Sequence, residues 1–139
     1  MDVLAPGTPD GPIASEDADT YVVSWSTNET YPDYHVTDSR LRNPRQITDG
    51  FPEQADFLWS DGTILVDYES DKGDRLQGAL YLPARYQEGQ SYPTIVYFYE
   101  KRSQALNSYT LPAARGFNKS VYTSNGYAVF EPDIVYRVN

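Results

Sequence analysis

The sequence predicts an α/β protein whose first part is all β, and two observations carry that prediction. Thr94-Ile95-Val96-Tyr97-Phe98-Tyr99 and Tyr127-Ala128-Val129-Phe130 are short, continuously apolar runs separated by 27 residues. Runs of this kind suit parallel strands buried on both faces, and the spacing leaves room for a crossover helix. Ahead of them lie short β-rich segments broken by turn residues, the pattern of meanders and hairpins.

Taken in order, residues 1–19 are rich in Pro, Gly, Asp and Ala and read as a loose lead-in. A β-meander is expected over 20–58. Its strands are Thr20–Ser26, Tyr34–Asp38 and Arg45–Thr48, set off by Asn28-Glu29, Asn43-Pro44 and Asp49-Gly50. Phe51–Trp59 is a connector. Thr63–Tyr68 and Leu76–Leu82 flank Asp71-Lys72-Gly73-Asp74, whose glycine suits a tight turn, so they predict a hairpin. After a loop over 83–90 comes the first apolar run. Residues 101–117 are irregular, and Asn118 is placed to cap a short helix that runs to about Ser124. Asn125-Gly126 then stops it before the second apolar run.

Composition narrows the function classes. The chain has 139 residues, no cysteine and a net charge of −9, so disulfides and thiolate metal sites are excluded. Residues 1–58 carry 11 acids against 3 bases, and the remainder 9 against 8. Neither part offers the basic stripe of a nucleic-acid binder. No run reaches the roughly 18 apolar residues of a membrane-spanning helix. The start shows no signal peptide, which leaves the compartment open.

In parallel sheets of this class the chemistry sits beyond the carboxyl ends of the strands, which marks Tyr99 and Asp133 as rim residues. Glu100 and Arg102 share that rim and are candidates for orienting a substrate terminus. His35 is the sole histidine and reads as a strand residue; with no histidine partner it cannot anchor a histidine-based metal site. Asp67, Glu69, Asp71 and Asp74 crowd the hairpin but have the spacing of a solvated turn, so no metal or cofactor is expected. Asn28-Glu29-Thr30 and Asn118-Lys119-Ser120 fit the glycosylation pattern. Trp25, Tyr31, Tyr34, Phe57 and Trp59 read as core aromatics, with glycan stacking as the rival use.

Several segments resemble one family. Tyr31-Pro32-Asp33-Tyr34-His35-Val36-Thr37-Asp38 followed by Gln46-Ile47-Thr48-Asp49 resembles the end of the β-propeller in prolyl oligopeptidase-family serine peptidases, notably the dipeptidyl-peptidase IV-like and acylaminoacyl-peptidase-like members. Leu76–Pro83, Tyr92–Tyr99 and Ser124–Phe130 resemble the start of their α/β-hydrolase domain, so 59–139 would be an incomplete domain of that fold. The resemblance implies peptide-bond hydrolysis by acyl transfer in a longer parent. It also implies a peptide substrate and an oxyanion-binding role for the Tyr99 hydroxyl. The Gly-x-Ser-x-Gly nucleophile elbow is absent, so the chain reads as an internal fragment, truncated at its start as well and inactive alone. In that strand order the first apolar strand lies beside the nucleophile strand, and its open edge would invite self-association. Departing from the family, Glu100-Lys101-Arg102 stand where small residues usually follow the tyrosine. The alternatives are a non-catalytic module that binds peptide or glycan, and an esterase of the hydrolase fold.

Overall fold

The computed structural model describes residues 8–17 and 19–135. They are mostly β, in two four-stranded sheets with few helical turns. The chain divides into one unit of Met1–Asp56 with Asn107–Tyr109 and another of Phe57–Leu106 with Thr110–Asn139.

The first unit is an antiparallel meander of β1 (Thr8–Ala14), β2 (Thr20–Ser26), β3 (Asp33–Asp38) and β4 (Arg45–Gln46), paired in chain order. Over 8–14 strand β1 corrects the expected loose lead-in, of which residues 1–7 and 18 lie outside the described residues, and its place explains why residues so poor in β propensity can form a strand. It lies at the sheet edge and its register slips between Asp10 and Ile13, where prolines and bulges are tolerated. Arg45-Gln46 is the only paired part of the expected third strand, although the Ile47 N–H still reaches the Tyr34 carbonyl at 2.9 Å. Asp33 is 2% exposed and organises this end of the sheet. Its carboxylate accepts from the Gln46 amide (3.1 Å), the Thr48 hydroxyl (2.6 Å) and the Gly50 N–H (2.9 Å). Tyr31 packs against Phe51 and Tyr109 in the same unit.

The second unit is a mixed sheet of β5 (Thr63–Glu69), β6 (Arg75–Tyr81), β7 (Thr94–Val96) and β8 (Ala128–Pro132), ordered β5-β6-β8-β7. Strands β5 and β6 form the expected hairpin, closed by Ser70–Asp74 with Gly73 at φ +79°. Strands β7 and β8 are parallel, with Thr94 opposite Ala128 and Val96 opposite Phe130. Between them α1 (Lys119–Ser124) starts where Asn118 accepts from the Val121 N–H, and it packs on β8.

Strand β7 is shorter than the expected Thr94–Tyr99. The Tyr97 N–H still donates to the Phe130 carbonyl at 2.9 Å. The next donor in a parallel ladder would be the N–H of residue 132, and Pro132 has none. The strand therefore loses its partner at that point.

Ala79, Tyr81 and Val129 are the buried centre of one sheet face, with Leu106, Phe117 and Tyr122 packed against them. On the opposite face Gly78 lets the Phe130 ring lie on β6. A Cβ there would meet ring atoms at 2.5 and 2.7 Å.

Candidate functional site

The rim expected from sequence forms where β7 and β8 end. Tyr99 is 60% exposed, as are its apolar neighbours Phe98 (65%) and Val96 (55%). Glu100 follows at φ +55°, a left-handed conformation that costs a side-chain-bearing residue about 1 kcal/mol. Its carbonyl accepts the Ile134 N–H at 2.9 Å, which stitches the turn to the chain leaving β8. Glu100 and Lys101 also wall an open cleft with Arg75, Leu76, Gln104 and Ile134.

Arg102 faces inward. Its guanidinium lies 3.1 Å from Glu131 Oε1 and 5.7 Å from the centre of the Tyr97 ring. Glu131 is 1% exposed. The pair is single-pronged, because Glu131 Oε2 and Arg102 Nε make no protein hydrogen bond. Glu100 thus faces a cleft, whereas Arg102 is committed to an ion pair.

Asp133, 9% exposed, gathers the loop that follows β7. Its Oδ1 accepts the backbone N–H of Arg102 (2.6 Å) and of Ser103 (2.8 Å), and its Oδ2 accepts the Ser103 hydroxyl (2.6 Å). Burial pushes its pKa upward. The Ser103 hydroxyl, the two backbone donors and the Lys101 charge outweigh burial and hold the carboxyl below its ordinary value. From β5, the Tyr68 hydroxyl donates to the Asp133 carbonyl.

A second buried group lies beneath the loop. Tyr81 donates its hydroxyl to the Ala105 carbonyl at 3.0 Å and accepts from Lys119 Nζ at 2.8 Å. Lys119 is 7% exposed. Burial drives its pKa down to about 8, against the upward pull of Glu131, and Arg102 adds to the downward shift. Burial and then the Glu131 charge raise that of Tyr81.

The structure therefore brings Tyr99, Glu100, Arg102 and Asp133 to one rim. It adds Glu131, Ser103, Tyr81 and Lys119, which the sequence reading missed. A signal for Glu131 was available. In register it lies opposite Ala79, as Val129 lies opposite Tyr81, so it continues the buried face of β8. Nothing comparable marked Lys119. His35 is on β3 of the first unit, its Nδ1 3.2 Å from the Asp33 carbonyl. Asp67 accepts from Gln77, and the described residues contain no group of three or more metal-ligating side chains. No helix among them is long and apolar enough to cross a membrane. Asn118 is buried, and its side chain bonds both Val121 and Leu111, so this glycosylation pattern is not presented to solvent. Of the aromatic candidates, Phe57 and Trp59 pack on each other in the second unit, while Tyr31 is in the Phe51 and Tyr109 group of the first.

No protein-family profile and no curated protein matches the chain. Solved structures do. AtxE2 isopeptidase superposes with a TM-score of 0.66 at 14% identity, over 93% of this chain and 19% of that one. Dipeptidyl peptidase 4 of Porphyromonas gingivalis gives 0.57 at 19% identity, over 91% and 18%. Pyrococcus horikoshii acylaminoacyl peptidase gives 0.55 at 19% identity, over 90% and 18%. The chain spans about a fifth of the length of each. At these identities the similarity is one of fold, and the structural neighbours are peptidases of the prolyl oligopeptidase family.

Proposed function

We propose that this chain is the part of a prolyl oligopeptidase-like serine peptidase in which a propeller-end β-meander passes into the α/β-hydrolase sheet. Its rim would then form one wall of a peptide-hydrolysing cleft. The observation that supports this most directly is the parallel β7–β8 pair, joined through α1, in a chain whose fold neighbours are peptidases. On this reading the Tyr99 hydroxyl donates to the oxyanion of the tetrahedral intermediate, which a preorganised donor can stabilise by about 3 kcal/mol. Glu100 meets the substrate from the cleft, and Arg102 shapes the loop that carries both. The sequence holds no Gly-x-Ser-x-Gly elbow, and its one histidine sits in the first unit. On this reading the nucleophile and base belong to a longer parent protein, and the chain by itself hydrolyses no peptide.

Fluorogenic peptides test the reading in two steps. The chain alone should show no turnover; turnover abolished by a serine-directed inhibitor would overturn the assignment. In a longer gene product that includes a serine elbow, Tyr99→Phe should lower kcat by about a hundredfold with little change in KM. An unchanged kcat would remove Tyr99 from the oxyanion site.

A further inference from the structure

We infer that Asp133 and Glu131 are a two-carboxylate clamp that fixes the loop 99–106 against the end of β8, and so are positioning residues for the rim. The loop attachment is read from geometry alone; only its consequence for catalysis rests on the function proposed above.

The two carboxylates stand two residues apart on β8 and its continuation, and both are buried. The loop after β7 supplies Arg102 and Ser103 as hydrogen-bonded side-chain partners, and Tyr81 of β6 also hydrogen-bonds Glu131. Leu106 anchors the returning end of that loop on the core, so its outer part is what needs polar attachment. Phe98 and Tyr99 point largely to solvent, and Glu100, Lys101 and Gln104 are exposed. Glu100 also holds a left-handed turn that an unattached chain would relax. Where the loop returns to the sheet, the Tyr81 hydroxyl takes the Ala105 carbonyl, and Lys119 beside it offsets the Glu131 charge.

The two halves of the clamp are unequal. Glu131 offers one oxygen to Arg102, while Asp133 binds two backbone N–H groups and a hydroxyl. Asp133 therefore dominates. The groups that face it are Tyr68 from β5, Gln77 from β6, and Lys101, Arg102 and Ser103 from the loop, with Glu131 on its own strand. Across the adjoining clefts stand Asp67, Glu69 and Arg75, with Asp71, Lys72 and Asp74 of the hairpin turn.

Amide hydrogen exchange on the whole chain provides the test. In Asp133→Ala, protection at Arg102, Ser103 and Ile134 should fall about tenfold to a hundredfold, as expected for losing hydrogen bonds to a charged carboxylate. The β6–β8 ladder should keep its protection. Equal protection in variant and wild type would overturn the clamp, and so would loss throughout the second unit. Should Asp133→Ala not fold, the wild type still decides the matter. Its Arg102 and Ser103 amide shifts should titrate together at a pH below the ordinary carboxylate range, and that titration should vanish in Asp133→Asn. Amides that ignore pH would refute the proposal. If the amides behave as expected while Tyr99→Phe leaves kcat unchanged in the longer product, the clamp stands and the oxyanion role falls.

Discussion

Replacing Lys119 by methionine tests the most unusual burial in the molecule. Lys119 lies on the sheet-facing side of α1, 7% exposed, with its ammonium against the Tyr81 hydroxyl and 4.0 Å from the centre of the Tyr81 ring. Its pKa falls from 10.5 to about 8, chiefly because burial strips the charge of water. A folded value below the unfolded one means that the unfolded chain keeps a proton which the folded chain has released. Stability therefore rises with pH between about 8 and 10.5, and below 8 the whole penalty is in force. At about 1.4 kcal/mol per pH unit the full penalty is about 3 kcal/mol. By about pH 9.5 the wild type should have recovered about 2 kcal/mol of it. Up to about pH 9.5 Tyr81 does not interfere, because its raised pKa acts only from the ordinary tyrosine value of 10 upward. Lys119→Met removes the charge and forfeits a hydrogen bond worth about 1 kcal/mol. The variant should be at least as stable as the wild type at neutral pH and should lack the alkaline gain. Urea unfolding followed at Trp59, in a Trp25→Phe background, reports this unit. Parallel pH profiles for the two proteins would refute the reasoning.

Three further outcomes follow from other sites. Asp33→Ala orphans the donors of Gln46, Thr48 and Gly50 and should cost the first unit about 3 kcal/mol, read by urea unfolding at Trp25. Gly78→Ala drives a methyl into the Phe130 ring and towards the Pro132 backbone at 3.1 Å, for about 2 kcal/mol of lost stability and a disturbed Tyr68–Phe130 contact, visible in aromatic NMR signals. Self-association through β7, proposed because that strand ends the sheet with Val96 exposed, should give a concentration-dependent mass in light scattering that Val96→Lys abolishes.

The legible parts of this chain are those where local signals agree. Gly73 sits at a positive φ between two β-rich runs, Asn118 caps the helix it precedes, and Gly126 at φ +85° ends it. The two apolar runs pair in parallel, but β7 is an edge strand with Thr94 and Val96 exposed, so it is not buried on both faces as its composition suggested. The sequence misleads where the position within a sheet overrides propensity. Pro9, Gly11 and Pro12 argue against a strand, but an edge position with a bulge accommodates them. Phe98 and Tyr99 argue for one, but Pro132 removes the donor that would have extended the ladder. At the rim, Tyr99, Glu100, Arg102 and Asp133 were accessible from strand ends alone. The direction in which Arg102 faces was not, because it depends on a carboxylate 29 residues away.

That carboxylate shows why the polar end of β8 is built as it is. The face of the sheet under α1 passes from Ala79, Tyr81 and Val129 to Glu131 within one strand length. A leucine or methionine in place of Glu131 would avoid the desolvation of a buried charge, and exchanges of that kind are commonly neutral or stabilising. Such a residue could cover the core, but it could not hold residues 100–104, which present charged and polar side chains and backbone N–H groups. Only acceptors at the strand end can satisfy the Arg102 and Ser103 donors while leaving the Tyr99 ring free. Burying Glu131 carries a desolvation cost, Asp133 more than recovers its own through the loop donors, and together they give the loop a defined geometry. On the function proposed above, a defined geometry is what a rim residue would need to act on a substrate.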